Sequence, residues 1–506
     1  MIMVRFTSAE IDRIGGIWAE MSGSPVYAED GRLLGAVAYG FAGTTPVAGV
    51  TPAAAMHALR DGDGVGRVQR SVEVPDRLGR RLVADGDVSA READKGLVRL
   101  PTPVAVSGLQ GAKQMNKAAE RLGMDNTRFF RAGSARTALV APDEAGIEPG
   151  GSLGSSMSYG DFSTVGIGTV TMVCGEEVVG FGHPMNWGGR TTMTMHGART
   201  VYIQEDRSWI PFKVANPTGP VGTIDEDRLA GIAGFTGAVP DTATVTSSAQ
   251  SLDSGFERTG QTFVSMPDFL PDLAALGVVV NNTRVVDKAG EGSAATAFEI
   301  EGTTKDGTAF SLTRGNRVGS AWDIGYMSPE ELYYTLGLLQ NNGFTRVDID
   351  TITMDSTLSE KNLGYRVGTV EVRAGKQWKR TTKKRPLFAQ RGEVIRLRVT
   401  LDPNERSSDE LGTTRRKLRV TVPDSLRRGR EVGLVVSGGP STWLSRRSLR
   451  PTSFEDLVSK LEARPRNDQV VAEFVRNRRA DTGAPTTSKP APQVVNGRQV
   501  LTVVVD

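Results

Sequence analysis

Cysteine is nearly missing from this chain: one residue, Cys174, in 506. That excludes a disulfide scaffold and any cysteine-rich zinc or iron–sulfur site. Histidine is almost as scarce, with only His57, His183 and His196, so each can be weighed singly as a base or ligand. His183, His196 and Asp227 share no His-x-x-x-His spacing and no facial carboxylate pattern, so neither a metal nor any other cofactor is expected. Charge of one sign is not in excess either. Lys and Arg number 61 against 58 acidic residues, a net charge of +3, and no global polycation invites nucleic acid or a membrane surface. No apolar run reaches the roughly 18 residues needed to span a bilayer. A signal peptide is also missing: Met1–Phe6 reads as a strand already in progress, and the native product is expected to begin further upstream.

What is abundant is glycine, 59 residues of it, punctuating short alternating apolar segments. That pattern predicts a mainly β chain of barrels or sandwiches, and the length suggests two to four domains. Pro25–Ala28 and Leu33–Tyr39 flank Glu29-Asp30-Gly31-Arg32, a hairpin whose Asp-Gly pair is expected to take positive φ at both central residues. Thr51 is expected to cap a helix that starts at Pro52 and runs to about Arg60. A second helix is expected over 109–122, closed by Gly123. A second hairpin, Gly168–Cys174 and Val178–Gly182, delivers His183 at its far end. Ser328-Pro329-Glu330-Glu331 predicts a capped helix with Leu332, Leu336 and Leu339 facing inward. The expected layout is a core region over 1–265 with a mixed segment at 61–165, a small α/β segment over 266–350 and a C-terminal β-sandwich over 351–440. A helix, a Pro/Thr/Ser-rich linker near 480–492 and a last strand then fill 441–506.

The richest chemistry lies in Ile14-Gly15-Gly16-Ile17-Trp18-Ala19-Glu20-Met21-Ser22-Gly23-Ser24-Pro25. A serine followed by Gly-x-Pro and a hairpin is how chymotrypsin-like barrels present a nucleophile, with backbone N–H groups aimed where an oxyanion develops. Small residues before a strand are also ordinary turn chemistry. A free hydroxyl needs a base. His57 falls in a helix, where it reads as a surface or packing residue, and His196 alternates with apolar neighbours as a strand histidine would. His183, in Gly180-Phe181-Gly182-His183-Pro184, stands at a strand end between a residue free in φ and one fixed in φ, which suits a side chain aimed into a cleft.

These segments resemble the SpoIVB-type sporulation serine peptidases. Gly15–Ile17 and Met21–Pro25, with Asp30–Val37 and Gly49-Val50 behind them, are similar to that family's nucleophile region. Val178–His183 resembles its histidine motif, and Gly222–Ile224 with Asp227-Arg228 and Gly231–Gly234 a third block. The resemblance implies a trypsin-like core and a serine endopeptidase acting outside the cytoplasm on protein or peptide substrates. Ser22 would be the nucleophile, His183 the base, and the N–H groups of Glu20 and Ser22 the oxyanion donors. Two departures stand out. Serine precedes histidine here, the reverse of the family order, which means either circular permutation or two partial copies joined. Glu20 stands where the family has glycine, adding a carboxylate beside the developing anion on a residue that resists unusual backbone angles; a catalytically impaired scaffold or envelope-binding module is therefore the alternative. For a third catalytic member Asp227 is preferred to Asp12, and a Ser–His dyad without a carboxylate stays conceivable.

Two other features carry less. Lys376–Arg385 is a basic run with one aromatic, Trp378, able to meet an acidic polymer but read as a solvated loop between strands. Pro149-Gly150-Gly151-Ser152-Leu153-Gly154 lacks the lysine and following helix of a phosphate loop and reads as a turn.

Overall fold

The computed structural model describes residues 1–59, 71–124, 127–206, 209–380, 386–439, 449–476, 479–480 and 485–506. The chain is mainly β and divides into two compact units, Met1–Val245 with Gln261–Val280, and Thr246–Gly260 with Asn281–Asp506. Among the described residues no helix is long and apolar enough to cross a membrane.

The first unit holds two sheets. β1 (Ile2–Arg5), β2 (Pro25–Tyr27), β3 (Leu33–Gly40), β4 (Val47–Pro52), β5 (Ser71–Val72) and β6 (Leu97–Arg99) lie in the order β1-β4-β3-β6-β5, with β2 also paired to β3. Strand β3 is buried from Gly35 onward. Its Tyr39 packs with Val47, Leu82 and Leu97, while Ala36 packs with Met56, Leu59, Val179 and Ala233. A strand covered on both faces must read as a continuous apolar run, and Leu33–Tyr39 does.

The second sheet contains β7 (Val104–Ser107), β8 (Phe129–Arg131), β9 (Ser152–Gly160), β10 (Ser163–Cys174), β11 (Glu177–Gly180), β12 (Gly189–Gln204), β13 (Phe212–Arg228) and β14 (Gly231–Thr236). Antiparallel pairing runs β9-β12-β13-β14-β11-β10 and returns to β9, closing six strands into a ring. Closure leaves these strands no free edge to satisfy. Leu153, Val178, Met193, Met195, Ile224 and Ile232 fill one core.

In the second unit, Gly292–Thr304 pairs with Ala309–Ser320 on one side and Val347–Ser359 on the other. Further along, Val394–Pro403 lies between Gly364–Ala374 and Thr414–Thr421, and Arg430–Gly438 between Val470–Arg476 and Arg498–Val505. Leu397, Leu401 and Leu418 from the first of these sheets share one apolar core with Leu434, Val436 and Phe474 from the other. The last strand of the chain thus lies in one sheet between Arg430–Gly438 and Leu387–Ala389.

Several local expectations are corrected. Of the Asp-Gly pair only Gly31 takes positive φ, at 82°, because its N–H donates to the Ala28 carbonyl and so makes Glu29 and Asp30 the central residues of the turn. Thr51 belongs to β4 and Pro52 precedes the helix Ala53–His57; Arg60, the expected helix end, lies outside the described residues. Ser328 ends a short helix, Ile324–Met327, and its hydroxyl donates to the Gly325 carbonyl, so no capping box forms at Glu330–Gln340. The helix over Gly111–Arg121, the hairpin β10–β11 and the helix Phe454–Glu462 stand where their patterns place them.

Candidate active site

Ser22 is placed by backbone bonds rather than by its own side chain. The helix Ala9–Ile14, capped by Ser8, stops at Gly15 in the left-handed region. Ile17 N–H then donates to the Thr45 carbonyl (2.9 Å) and Ala19 N–H to that of Pro211 (2.8 Å). The turn that follows is stitched to β10 and β3. Thr169 Oγ1 donates to the Glu20 carbonyl (3.0 Å) and Thr171 Oγ1 to that of Gly23 (2.7 Å). Thr169 N–H donates to the Ser22 carbonyl and Gly23 N–H to Val37, each at 2.8 Å. Gly23 has φ 94°, and a Cβ there would sit 2.1 Å from the Thr169 carbonyl oxygen. Only glycine fits. Gly23→Ala is expected to cost on the order of 3 kcal/mol, read from urea unfolding, because left-handed strain adds to a clash with fixed backbone; a cost below about 1 kcal/mol would mean the turn can relax.

His183 arrives from the other sheet. Phe181 and Gly182 both have φ 66°, turning the chain sharply as it leaves β11, and Thr51 Oγ1 donates to the Gly182 carbonyl at 2.7 Å. His183 Nε2 lies 2.8 Å from Ser22 Oγ, and Nδ1 lies 2.8 Å from the Pro184 carbonyl oxygen. A carbonyl can only accept, so Nδ1 carries the proton and Nε2 is left to accept from the Ser22 hydroxyl. That is the tautomer a general base needs.

Burial pushes the His183 pKa down to about 4, assisted by the nearby Arg99 charge and opposed by the Pro184 carbonyl. Burial does the same to His196, also to about 4. The unfolded chain binds protons near pH 6.5 while the folded one resists until about 4, so stability falls as pH drops through that window. Each histidine is expected to remove about 3 kcal/mol by the lower limit. Urea midpoints compared at pH 7 and 4.5 test this, and equal midpoints would refute it.

Asp227 has a different task from the one expected of it. Oδ1 accepts from Met185 N–H (2.8 Å), and Oδ2 from Asn186 N–H (2.7 Å) and Gly188 N–H (3.3 Å). It clamps the turn after His183 and makes no bond to the imidazole. Burial raises its pKa, against the pull of these same N–H groups. Asp12 is exposed on the first helix. Among the described residues, then, Ser22 and His183 form a dyad whose orienting partner is a peptide carbonyl.

Glu20 is fully buried with φ 67°, a left-handed conformation that costs roughly 1–2 kcal/mol for a side chain with a Cβ. The angle a glycine would take freely is therefore kept. No described residue accepts from the N–H groups of Glu20 or Ser22. The carboxyl bonds the Lys213 N–H through Oε2 at 2.7 Å, and Oε1 has no partner among the described residues. Burial lifts the Glu20 pKa well above the usual carboxylate range, so burial opposes the negative charge expected beside an oxyanion. Lys213 Nζ donates to Ser152 Oγ (3.1 Å) and the Gly168 carbonyl (3.2 Å), and burial lowers its pKa to about 8 with Glu20 pulling the other way.

Of the other histidines, His57 is exposed, while His196 is buried in β12 with Nε2 2.9 Å from Ser156 Oγ. The turn expected over 149–154 ends at Gly151, and Ser152–Gly154 already belong to β9, paired with β10. Thr51, Thr169, Thr171, the Pro184 carbonyl and Lys213 were not legible as parts of the site. A weak signal existed for two of them: threonines at 169 and 171 put both hydroxyls on one face of a strand. Strained backbone also gathers here. Of five non-glycine residues with positive φ among the described residues, Glu20, Phe181 and Trp187 flank the dyad.

Compared with protein-family models, with curated proteins and with solved structures, the chain matches none.

Proposed function

We propose that this chain is a serine endopeptidase of the SpoIVB type, with a trypsin-like core assembled in permuted chain order. The observation that carries this reading is the 2.8 Å contact between Ser22 Oγ and the Nε2 of an imidazole held in its basic tautomer. Ser22 Oγ would attack the scissile carbonyl while His183 Nε2 takes its proton and then returns it to the leaving amine. The Glu20 and Ser22 N–H groups would receive the oxyanion, and water would release the acyl group from Ser22. Substrates would be proteins or peptides met outside the cytoplasm, with the two-sheet region of the second unit, read as a β-sandwich, holding substrate or a cell-envelope partner. A fluorophosphonate probe tests the proposal, since it traps only a serine activated by a base. Labelling of the wild type on Ser22, on a plateau at neutral pH that falls with a midpoint near pH 4, is the expected result, because proton uptake by His183 removes the base. A midpoint near 6.5 would mean that the base is a solvated histidine.

One observation favours a second reading, a binding module without turnover. Ser22 and His183 are each only 2% exposed, so a substrate carbonyl needs an opening to reach them. Absence of wild-type labelling on a folded protein selects this reading.

A further inference from the structure

The sheet formed by Gly364–Ala374, Gln377–Arg380, Val394–Pro403 and Thr414–Thr421 buries one face in the apolar core and presents the other outward. That outer face is cationic to a degree the near-neutral composition hides. Arg396 lies directly across from Arg419, and Arg398 across from Lys417. On the next strand Glu371 lies opposite Arg398 on one side and Arg380 on the other, and Arg373 lies opposite Trp378. Arg373, Arg380, Arg396, Lys417 and Arg419 are exposed.

Like charges facing one another across antiparallel strands destabilise a sheet, and this one holds two such pairs side by side. The acid amid these rows, Glu371, already accepts from Nε and Nη2 of Arg398, at 2.7 and 2.8 Å. Asp402 lies farther along the strand, opposite Arg366. Arg396, Lys417 and Arg419 make no ion pair with any described residue. Glu371 offsets the Arg398/Lys417 pair, whereas the Arg396/Arg419 pair has no counter-charge among the described residues.

The spacing describes the anion that fits this face. Neighbouring strands lie roughly 4.8 Å apart and same-face residues along a strand about 6.7 Å apart, so the cations form rows suited to a chain of regularly repeated charges. The Trp378 ring already meets the guanidinium groups of Arg373 (5.5 Å) and Arg398 (4.9 Å). A nucleobase would have to compete with them for that ring. Val394 is the one large exposed hydrophobic residue on these four strands, so little is available to enter a bilayer. The basic segment continues into 381–385, which lies outside the described residues.

We infer that this face binds a linear, base-free phosphodiester polymer, its phosphates held by the Arg396 and Arg419 guanidinium groups and the Lys417 ammonium. The inference does not depend on the peptidase reading. The experiment uses the full chain and fluorescently labelled poly(glycerol phosphate), with affinity read by anisotropy at 50 and 200 mM salt. Wild type is expected to bind, and to weaken as salt displaces it. Arg419→Glu is expected to raise the melting temperature, through a new cross-strand pair with Arg396, while lowering affinity at least tenfold. The combined Arg396→Ser, Lys417→Ser, Arg419→Ser variant is expected to keep the fold, lose at least tenfold in affinity and flatten the log–log salt slope by about 2. Wild type that fails to bind, or variants that bind as well as wild type, overturn the inference. Tighter binding to a single-stranded oligonucleotide of equal charge, or to phosphatidylglycerol vesicles, also overturns it and assigns the face to nucleic acid or to a membrane instead.

Discussion

Ser22→Ala is expected to abolish fluorophosphonate labelling completely, and His183→Ala to slow the labelling of Ser22 by about 100- to 10,000-fold. The two effects differ because they remove different things. Without Ser22 no atom remains to form the bond. Without His183 the hydroxyl stays in place, fixed by the backbone bonds from Thr169 and Gly23, but its proton has nowhere to go. Both variants should remain folded, since the turn around Ser22 is held by main-chain and threonine contacts rather than by the dyad itself. Labelling that survives in Ser22→Ala at the wild-type rate would place the reactive serine elsewhere and end the proposal. Labelling of His183→Ala at an unchanged rate would leave Ser22 as a reactive residue without this base.

Asp227→Ala is expected to destabilise the first unit by roughly 2–5 kcal/mol, since the N–H groups of half-buried Met185 and Asn186 lose their acceptor at about 1–3 kcal/mol each, while that of exposed Gly188 can turn to water. Met185, Asn186 and Gly188 all depend on that one carboxylate. The turn it holds follows directly on His183, and Trp187 within it has φ 58°, a conformation that the clamp must enforce. Asp227→Asn keeps an acceptor oxygen and is expected to lose about half as much. Unfolding in urea measures the cost. A second readout separates a clamp from a catalytic partner: as a clamp, Asp227→Asn lowers stability and labelling amplitude together and leaves the labelling midpoint near pH 4 where it is. A shift of that midpoint would mean that the carboxylate acts on the imidazole after all.

Much of the site could be read from residue types because the pattern was local. Glycine and proline on either side of Ser22 and His183 announce sharp turns, and a sharp turn at a strand end is a local property of the chain. The alternation in Val394–Leu401, with Ile395, Leu397, Val399 and Leu401 buried, was legible for the same reason. The orienting partner of the imidazole could not be found in this way. Every residue has a carbonyl, so the Pro184 oxygen carries no compositional mark, whereas a carboxylate such as Asp227 is visible in residue type alone. Glu20 was misjudged on related grounds. Its type suggested a charge beside the oxyanion position, whereas the fold buries the carboxyl against Lys213 and raises its pKa. The cationic sheet face was hidden by averaging: arginines spread over four separate strands look balanced until pairing brings them together on one face.

The amino-acid order by itself determined the short-range facts: a mainly β chain, turns at Gly23, Gly31 and Gly182, one serine and one histidine presented at strand ends. Tertiary structure alone decided that these two side chains, 161 residues apart, lie within a hydrogen bond of each other. The reason is that bringing them together depends on long-range strand pairing and on backbone groups, which hold no information in residue type, whereas the turns depend on φ preferences that each residue carries with it.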